Sequence, residues 1–348
     1  MKRRSLRMVP GIYAVFGDLP RGCTLCMRGL KVVVFITGLC KEKCFYCPVS
    51  PDKLYRDVKT VDEEPFSSLE DLIEEVYRVG ADGAAITGGD PLLVLDRTVT
   101  TISLLKEIFG DDFHIHLYTT GIAANSASLK ALEKAGLDEI RFHVRNLDYI
   151  DRVKLAKRVL GDGVAVGVEV PVFPDHKSVE ILKKMIKELD SVGVDFINLN
   201  EAEVSPSNVG QVVARGYAVD ERGYVVKGSE QAALSILKWA TRNVRRVSVH
   251  YCPAKFKDRV QMRLRLLRKA IRTLKPYHRV TSEGLLEFLV VKYAGHEHLA
   301  VYGERIGDLL ALPPDLASVV QGGTLEQVYP VSRRSSLSLA VERVPQDS

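Results

Sequence analysis

Between residues 31 and 205 six short apolar runs alternate with five helical patterns, and that alternation limits the chain to a parallel α/β architecture. The strand candidates are Val32–Thr37, Gly83–Thr87, Phe113–Thr119, Glu139–Val144, Val164–Val172 and Phe196–Asn200, each rich in β-branched residues. Helical patterns fill the gaps at Ser67–Val79, Thr98–Phe109, Ala127–Ala135, Asp148–Leu160 and Ser178–Val192, the last with Val179, Leu182, Met185, Ile186 and Leu189 on one face and Ser178 placed to cap it. Six β-α units predict an α/β fold of the partial (βα)6 TIM-like barrel type, with an α+β C-terminal extension. A flat doubly wound sheet is the alternative, but no G-x-G-x-x-G follows the first strand.

The expected organisation is an N-terminal extension over 1–30, the barrel over 31–205 and a C-terminal region over 206–348. In that last region Val212–Val219 and Tyr224–Lys227 read as a hairpin turning at Asp220–Gly223. A helix is expected from Ser229 to about Arg242 and a longer one from about Lys255 to Lys275, with Val260, Leu264, Leu267, Ile271 and Leu274 as its apolar stripe. Residues 284–345 read as β-rich, and the chain beyond about Arg343 as frayed.

Chemistry concentrates in the cysteines. Cys40, Cys44 and Cys47 form C-x3-C-x2-C directly after the first strand, where a barrel hands over to its active-site loops. Three thiolates at that spacing can wrap one metal centre and leave a coordination position open. Structural zinc sites favour paired C-x2-C or Cys/His spacings, which the triplet fits poorly. At the end of the second strand stands Thr87-Gly88-Gly89-Asp90-Pro91, where adjacent glycines admit close approach of a ligand to the backbone. The other three cysteines are also grouped. Cys23 and Cys26 make a C-x2-C pair, and with His250 and Cys252 they could complete a Cys3His site for zinc or an auxiliary iron–sulfur cluster. Six cysteines in metal-like spacings, with no secretory h-region after Met1–Met8 and no membrane-length apolar run, predict a reducing, cytoplasmic setting.

C-x3-C-x-aromatic-C followed about forty residues later by Gly-Gly-Asp-Pro resembles the radical S-adenosylmethionine superfamily. The longer run from Cys23 to Pro48 is similar to a mainly archaeal group related to pyruvate formate-lyase activating enzyme. The resemblance implies that Cys40, Cys44 and Cys47 hold a [4Fe–4S] cluster whose fourth iron is chelated by S-adenosylmethionine. It implies that Tyr46 lies near the adenine and that Gly88, Gly89, Asp90 and Pro91 hold the methionine amino group. Asp90 replaces the usual Glu. Thr119-Thr120-Gly121 resembles the family's Thr-Asn-Gly turn. Glu169, Asn198 and Asn200 fall where members contact ribose, methionine carboxylate or adenine. The implied reaction is reductive cleavage to methionine and a 5′-deoxyadenosyl radical, which abstracts hydrogen from a substrate. No side chain is then needed as a general base, and an electron donor of flavodoxin or ferredoxin type is implied.

The substrate is open at this stage: a glycyl-radical enzyme to be activated, an RNA, or a small metabolite. A zinc-bound interaction module is the reading from another class. The RNA reading rests on residues 238–279, which carry fourteen Lys or Arg and one acid, Asp258, in a chain whose net charge is only +5. The bland reading of that block is a solvated helix face.

Overall fold

The computed structural model describes residues 5–9, 13–62, 64–330 and 338–343. Its main sheet starts with an antiparallel pair, β1 (Leu6–Val9) and β2 (Tyr13–Phe16), followed by helix α1 (Arg21–Met27). The β-α units follow as β3 (Lys31–Phe35), α2 (Leu69–Val79), β4 (Gly83–Thr87), α3 (Leu95–Phe109), β5 (His114–Thr119), α4 (Ser126–Lys134), β6 (Glu139–Phe142), α5 (Ile150–Val159), β7 (Ala165–Val172), α6 (His176–Val192) and β8 (Phe196–Glu201). After α7 (Ser229–Asn243) comes β9 (Ser248–Cys252), which pairs parallel to β8. Seven strands, β3 to β9, therefore run parallel in sequence order. The sheet stays open: it ends at β1 on one side and at the short strand Glu64–Pro65 on the other.

Local chemistry explains these elements. Val32, Val34 and Ile36 are fully buried on the helix-facing side of β3, as parallel strands covered by helices require. Ser68 and Asp71 form a reciprocal capping box at the start of α2, and Gly80 ends that helix at φ 60, a left-handed turn that favours glycine. The core packs Leu72, Val76, Ile102, Leu105, Leu129, Leu132, Val153 and Ile186 of the helices against the sheet.

The lumen is different. Most of the inward-pointing residues of β5 to β9 are polar: His114, His116 and Tyr118; Glu139 and Arg141; Glu169; Asn198 and Asn200; His250. Helix α1 stoppers the amino end of this lumen. Its Gly22 lies so close to Arg141 and His116 that a Cβ there would sit 2.7 Å from each, and Gly22 N donates to Glu139 at 3.4 Å.

A second sheet closes the chain: β10 (Leu286–Lys292), β11 (Glu304–Ile306), β12 (Leu309–Leu312), β13 (Thr324–Val328) and β14 (Ser338–Arg343), antiparallel in the order β11-β12-β10-β13-β14. Helix α8 (Arg263–Thr273) joins it to the barrel. Lys269 Nζ is 1% exposed and bridges Glu64 at 2.8 Å and Glu75 at 2.6 Å on the barrel side, while Ala270 packs with Tyr277 and Phe288 of the second sheet.

The six β-α units, their helices and the β-rich end match the sequence expectation to within a few residues. Four details are corrected. The parallel strands number seven, because Ser248–Cys252 is a strand embedded in the basic block. The hairpin strand Val212–Val219 does not form: Val209–Val213 is a short helix, and the hairpin shrinks to a bridge between Val219 and Val226. The cap of α6 is Asp175, which accepts from Ser178 N at 2.9 Å, so the helix begins two residues earlier at His176. The long Lys255–Lys275 helix is broken into Ala254–Phe256, a π turn over Lys257–Met262, and α8. Beyond Arg343 the chain lies outside the described residues.

The second sheet carries a pH dependence. Burial, reinforced by Lys275, pushes the His278 imidazole down to about 4, and its Nδ1 accepts from Lys275 N at 3.1 Å. The unfolded chain binds that proton near 6.5, so the stabilisation is complete above 6.5 and is lost as pH falls towards 4. Discounted for its partial exposure, the loss is about 1–2 kcal/mol. Thermal melts between pH 7 and 4.5 should show a steeper decline for the wild type than for His278→Asn, which keeps an acceptor without a titrating ring; parallel declines would remove the assignment.

Candidate functional site

The carboxyl ends of β3, β4 and β5 bring the two main motifs together. The cysteine loop leaves β3 and is folded back on itself at Gly38. There Gly38 N donates to Arg56 O at 2.8 Å and Tyr55 N donates to Gly38 O at 2.8 Å. A Cβ at Gly38 would lie 1.7 Å from Lys53 O, so only glycine fits. Thr37 Oγ1 donates to Asp57 at 2.8 Å, and Arg97 holds Asp57 through two bonds, fixing the foot of the loop. At its far side Glu42 accepts from Arg145 and Tyr149.

Gly88 and Gly89 lie directly against that loop. Gly89 N donates to Thr37 O and Asp90 N to Leu39 O, each at 2.7 Å. A Cβ on either glycine would lie 2.2 Å from a carbonyl oxygen, of Thr37 and Leu39 respectively, and Gly88 has φ 148. The pair is thus a backbone ledge seated beside Cys40. The Asp90 side chain turns away from the loop. It is buried and accepts from Leu92 N at 3.1 Å, from Thr119 Oγ1 at 2.7 Å, and from both the backbone and the hydroxyl of Thr120. Pro91 opens the 3-10 turn that follows. Aspartate is a strut between the β4 and β5 tips, a task that its short side chain reaches. Asp90→Ala leaves two hydroxyls and two amides without this acceptor, so it should cost about 1–3 kcal/mol and slow the reaction of the site by loosening the ledge. A melt that is unmoved would show the strut to be idle.

The three triplet thiols are partly buried, and burial raises each above its ordinary value, Cys44 to about 11. Their sulfurs do not all lie within 4.8 Å of one another. Four sulfurs around one tetrahedral zinc would stand about 3.8 Å apart. The trio therefore stands wider than a single tetrahedral zinc would set it. Tyr46 sits beside Cys44, with its hydroxyl 2.8 Å from His143 Nε2 and its carbonyl accepting from Asn208 at 3.0 Å.

Deeper in the lumen, Glu169 is the hub. It accepts from Arg141 at 2.9 Å, Asn198 at 2.9 Å and Asn200 at 2.8 Å. Burial alone would raise its carboxyl, but Arg141, Lys257 and the two amides outweigh it and hold it at about 2. Arg141 also grips Glu139 and Tyr118. Arg141, His143 and Glu42 were not singled out from the sequence. The signal was there in Glu139-Ile-Arg141-Phe-His143: a strand covered by helices should be apolar throughout, so alternate polar residues mark a lumen.

The second cysteine group is partly assembled. Cys23 enters the lumen on α1, where its sulfur lies 3.4 Å from Asn198 Nδ2 and 3.5 Å from Arg141 Nη2. His250 Nδ1 meets Asn198 Oδ1 at 3.1 Å, and Cys252 follows two residues along β9. Burial raises Cys23 to about 11, and Cys26 pushes it the same way. Yet no three ligand atoms of Cys23, Cys26, His250 and Cys252 lie within 4.8 Å of one another, so these residues share a lumen without closing on one ion.

Five of the fourteen basic residues of the 238–279 block pair with carboxylates among the described residues. Lys257 pairs with Glu203, Arg265 with Asp62, Lys269 with Glu64 and Glu75, Lys275 with Glu304, and Arg279 with Glu287 and Asp315. Among the described residues, no helix is long and apolar enough to cross a membrane.

The family model for the radical SAM superfamily matches residues 34–158, the span that carries the triplet and the glycine ledge. Solved structures of similar fold include the Streptococcus suis protein SuiB bound to S-adenosylmethionine, at 11% identity and a TM-score of 0.45, covering 64% of this chain and 50% of that one. A GTP 3′,8-cyclase of Rhodopirellula baltica is 29% identical over 159 residues, 45% of this chain and 42% of that protein. A Methanocaldococcus jannaschii protein named "Putative glycyl-radical enzyme activating enzyme" is 38% identical over 283 residues, 78% of this chain and 73% of its own length. Similarity of that depth over most of both chains, with the superfamily's model matching the span of the thiols and the ledge, settles the matter of kinship: the chain belongs to the radical S-adenosylmethionine superfamily.

Proposed function

We propose that this radical SAM enzyme acts on a protein, removing a hydrogen atom from a glycine of a partner enzyme. The observation that carries this reading is the 38% identical relative named as an activating enzyme of glycyl-radical enzymes. A [4Fe–4S] cluster held at the triplet would supply the electron for reductive cleavage of S-adenosylmethionine, and with it the radical chemistry that removes hydrogen from the substrate. This chain's residues do the rest. Cys40, Cys44 and Cys47 would hold the cluster, the Gly88–Gly89 ledge and the Thr119 turn would seat the methionine end, and Tyr46 would flank the adenine. Glu169, kept ionised by Arg141 and oriented by Asn198 and Asn200, offers a fixed acceptor for hydroxyl or ammonium groups of the bound cofactor. A flavodoxin- or ferredoxin-type protein is the expected reductant.

The test uses a full-length glycyl-radical partner whose glycines are dideuterated at Cα. Incubated without oxygen with reconstituted enzyme, S-adenosylmethionine and dithionite, it should develop an organic radical by electron paramagnetic resonance, and deuterium should appear in 5′-deoxyadenosine. Cofactor cleavage with neither signal would send the substrate assignment elsewhere.

A second metal on Cys23, Cys26, His250 and Cys252 remains part of this proposal, supported by the lumen they share. Replacing Cys40, Cys44 and Cys47 with alanine isolates it. Iron or zinc retained by that variant keeps the second site, and metal-free protein removes it.

A further inference from the structure

Of the apolar stripe Leu264, Leu267, Ile271 and Leu274, the first two are half-buried and the last two are exposed. Ile271 is 65% exposed and Leu274 44%. The buried face of α8 is instead Arg265, Leu266, Lys269 and Ala270, carried inward by ion pairs and by the second sheet. The stripe floors a groove of about 560 Å³, lined by Arg28, Leu264, Leu267, Arg268, Ile271 and Arg272. Arg28 follows α1 and forms one wall, and its carbonyl accepts from Arg268 Nε at 3.3 Å. Arg272 Nη1 donates to Val79 O at 3.1 Å beside Gly80. These anchors lie before β3 and β4, so the groove is at the amino end of the barrel, opposite the cysteine loop.

Three features define its occupant. The floor is aliphatic and the spacing is that of a helix face, which suits a ridge of apolar side chains rather than stacked bases. Among the described residues, Arg28, Arg268 and Arg272 pair with no carboxylate, whereas Arg265 and Lys269 on the same helix pair with carboxylates and Arg263 donates to the Ser282 carbonyl. The surface is concave, which suits an inserted helix better than a flat bilayer. The chain's own termini, with Lys2-Arg3-Arg4 and Arg333-Arg334, carry the wrong sign. We infer that this groove docks an acidic amphipathic helix of a partner protein, with the partner's apolar ridge on Leu264, Leu267 and Ile271 and its carboxylates on Arg28, Arg268 and Arg272. The site lies outside the radical chamber and does not depend on what the enzyme's substrate is.

The experiment selects helix-forming peptides from a displayed random library on the cluster-loaded full chain, then measures binding by fluorescence anisotropy. The expected winners repeat apolar residues at i, i+3 or i+4 and i+7 between Asp and Glu. Their affinity should fall roughly tenfold or more in Arg268→Glu and in Ile271→Asp, and should weaken as salt rises. Both substitutions are on the surface, and unchanged cleavage of S-adenosylmethionine reports that the fold is intact. Selected peptides lacking acids, or indifferent to both variants, overturn the proposal. So does preferential binding of tRNA, or of phosphatidylglycerol vesicles, that is lost with Ile271→Asp while no peptide is enriched.

Discussion

Cys44→Ala is expected to abolish cofactor cleavage. The wild-type protein, reconstituted without oxygen, should bind about four irons at the triplet, show the broad thiolate-to-iron absorption of such clusters, and release 5′-deoxyadenosine under dithionite. Two thiols cannot hold a cube whose remaining corner must stay open for the sulfonium, so the variant should lose essentially all turnover. Its fold should survive, because the loop is anchored elsewhere: by Gly38 on Arg56 and Tyr55, by Asp57 on Thr37 and Arg97, and by Glu42 on Arg145 and Tyr149. Iron content and product yield read the first effect, and a melt reads the second. A variant that retains normal turnover would disqualify the triplet as the cluster's seat.

Arg141→Met is the substitution with the largest expected cost in stability. The guanidinium is buried between Glu139 and Glu169 and also reaches Tyr118 and Cys23. Methionine fills much of the volume but leaves two carboxylates in a low-dielectric lumen with their main counter-charge gone. Removing one partner of such a buried pair costs about 3–5 kcal/mol. The Glu169 carboxyl should also rise from about 2, since Arg141 leads the influences that hold it down. Denaturant unfolding checks the first effect. The second shows as a new ionisation in the pH profile of S-adenosylmethionine binding. An Arg141→Met protein as stable as the wild type would mean that water already reaches those carboxylates.

Much of this was legible in the chain because local rules and tertiary demands agree there. Val32 to Phe35 and Gly83 to Thr87 are strands by composition and by burial alike, and the motifs follow strands, so topology alone carries them to one end of the barrel. The misreadings arise where tertiary context overrides periodicity. Ser248–Cys252 sits among arginines, and nothing local marks it as the seventh parallel strand; its partner β8 supplies the reason. The α8 stripe has faultless helical spacing, yet the helix turns its other face inward because Lys269 and Arg265 find carboxylates at Glu64, Glu75 and Asp62, residues distant in sequence. Val212–Val219 is β-branched enough to read as a strand, but Asn208 ties the segment to Tyr46 and Glu203, and a helical turn results. The lumen network around Arg141 was written in the alternating polar residues of β6, Glu139, Arg141 and then His143, but a single strand does not announce which neighbours its charges will meet.

Helix α1, wedged by Gly22 between Arg141 and His116, shuts the amino end of the reaction vessel. Traffic through the carboxyl end passes the mouth above the glycine ledge. Turnover is then a queue: spent methionine and deoxyadenosine have to clear the exit before the next sulfonium can take their place, and a bulky partner seated across that mouth would keep them waiting inside.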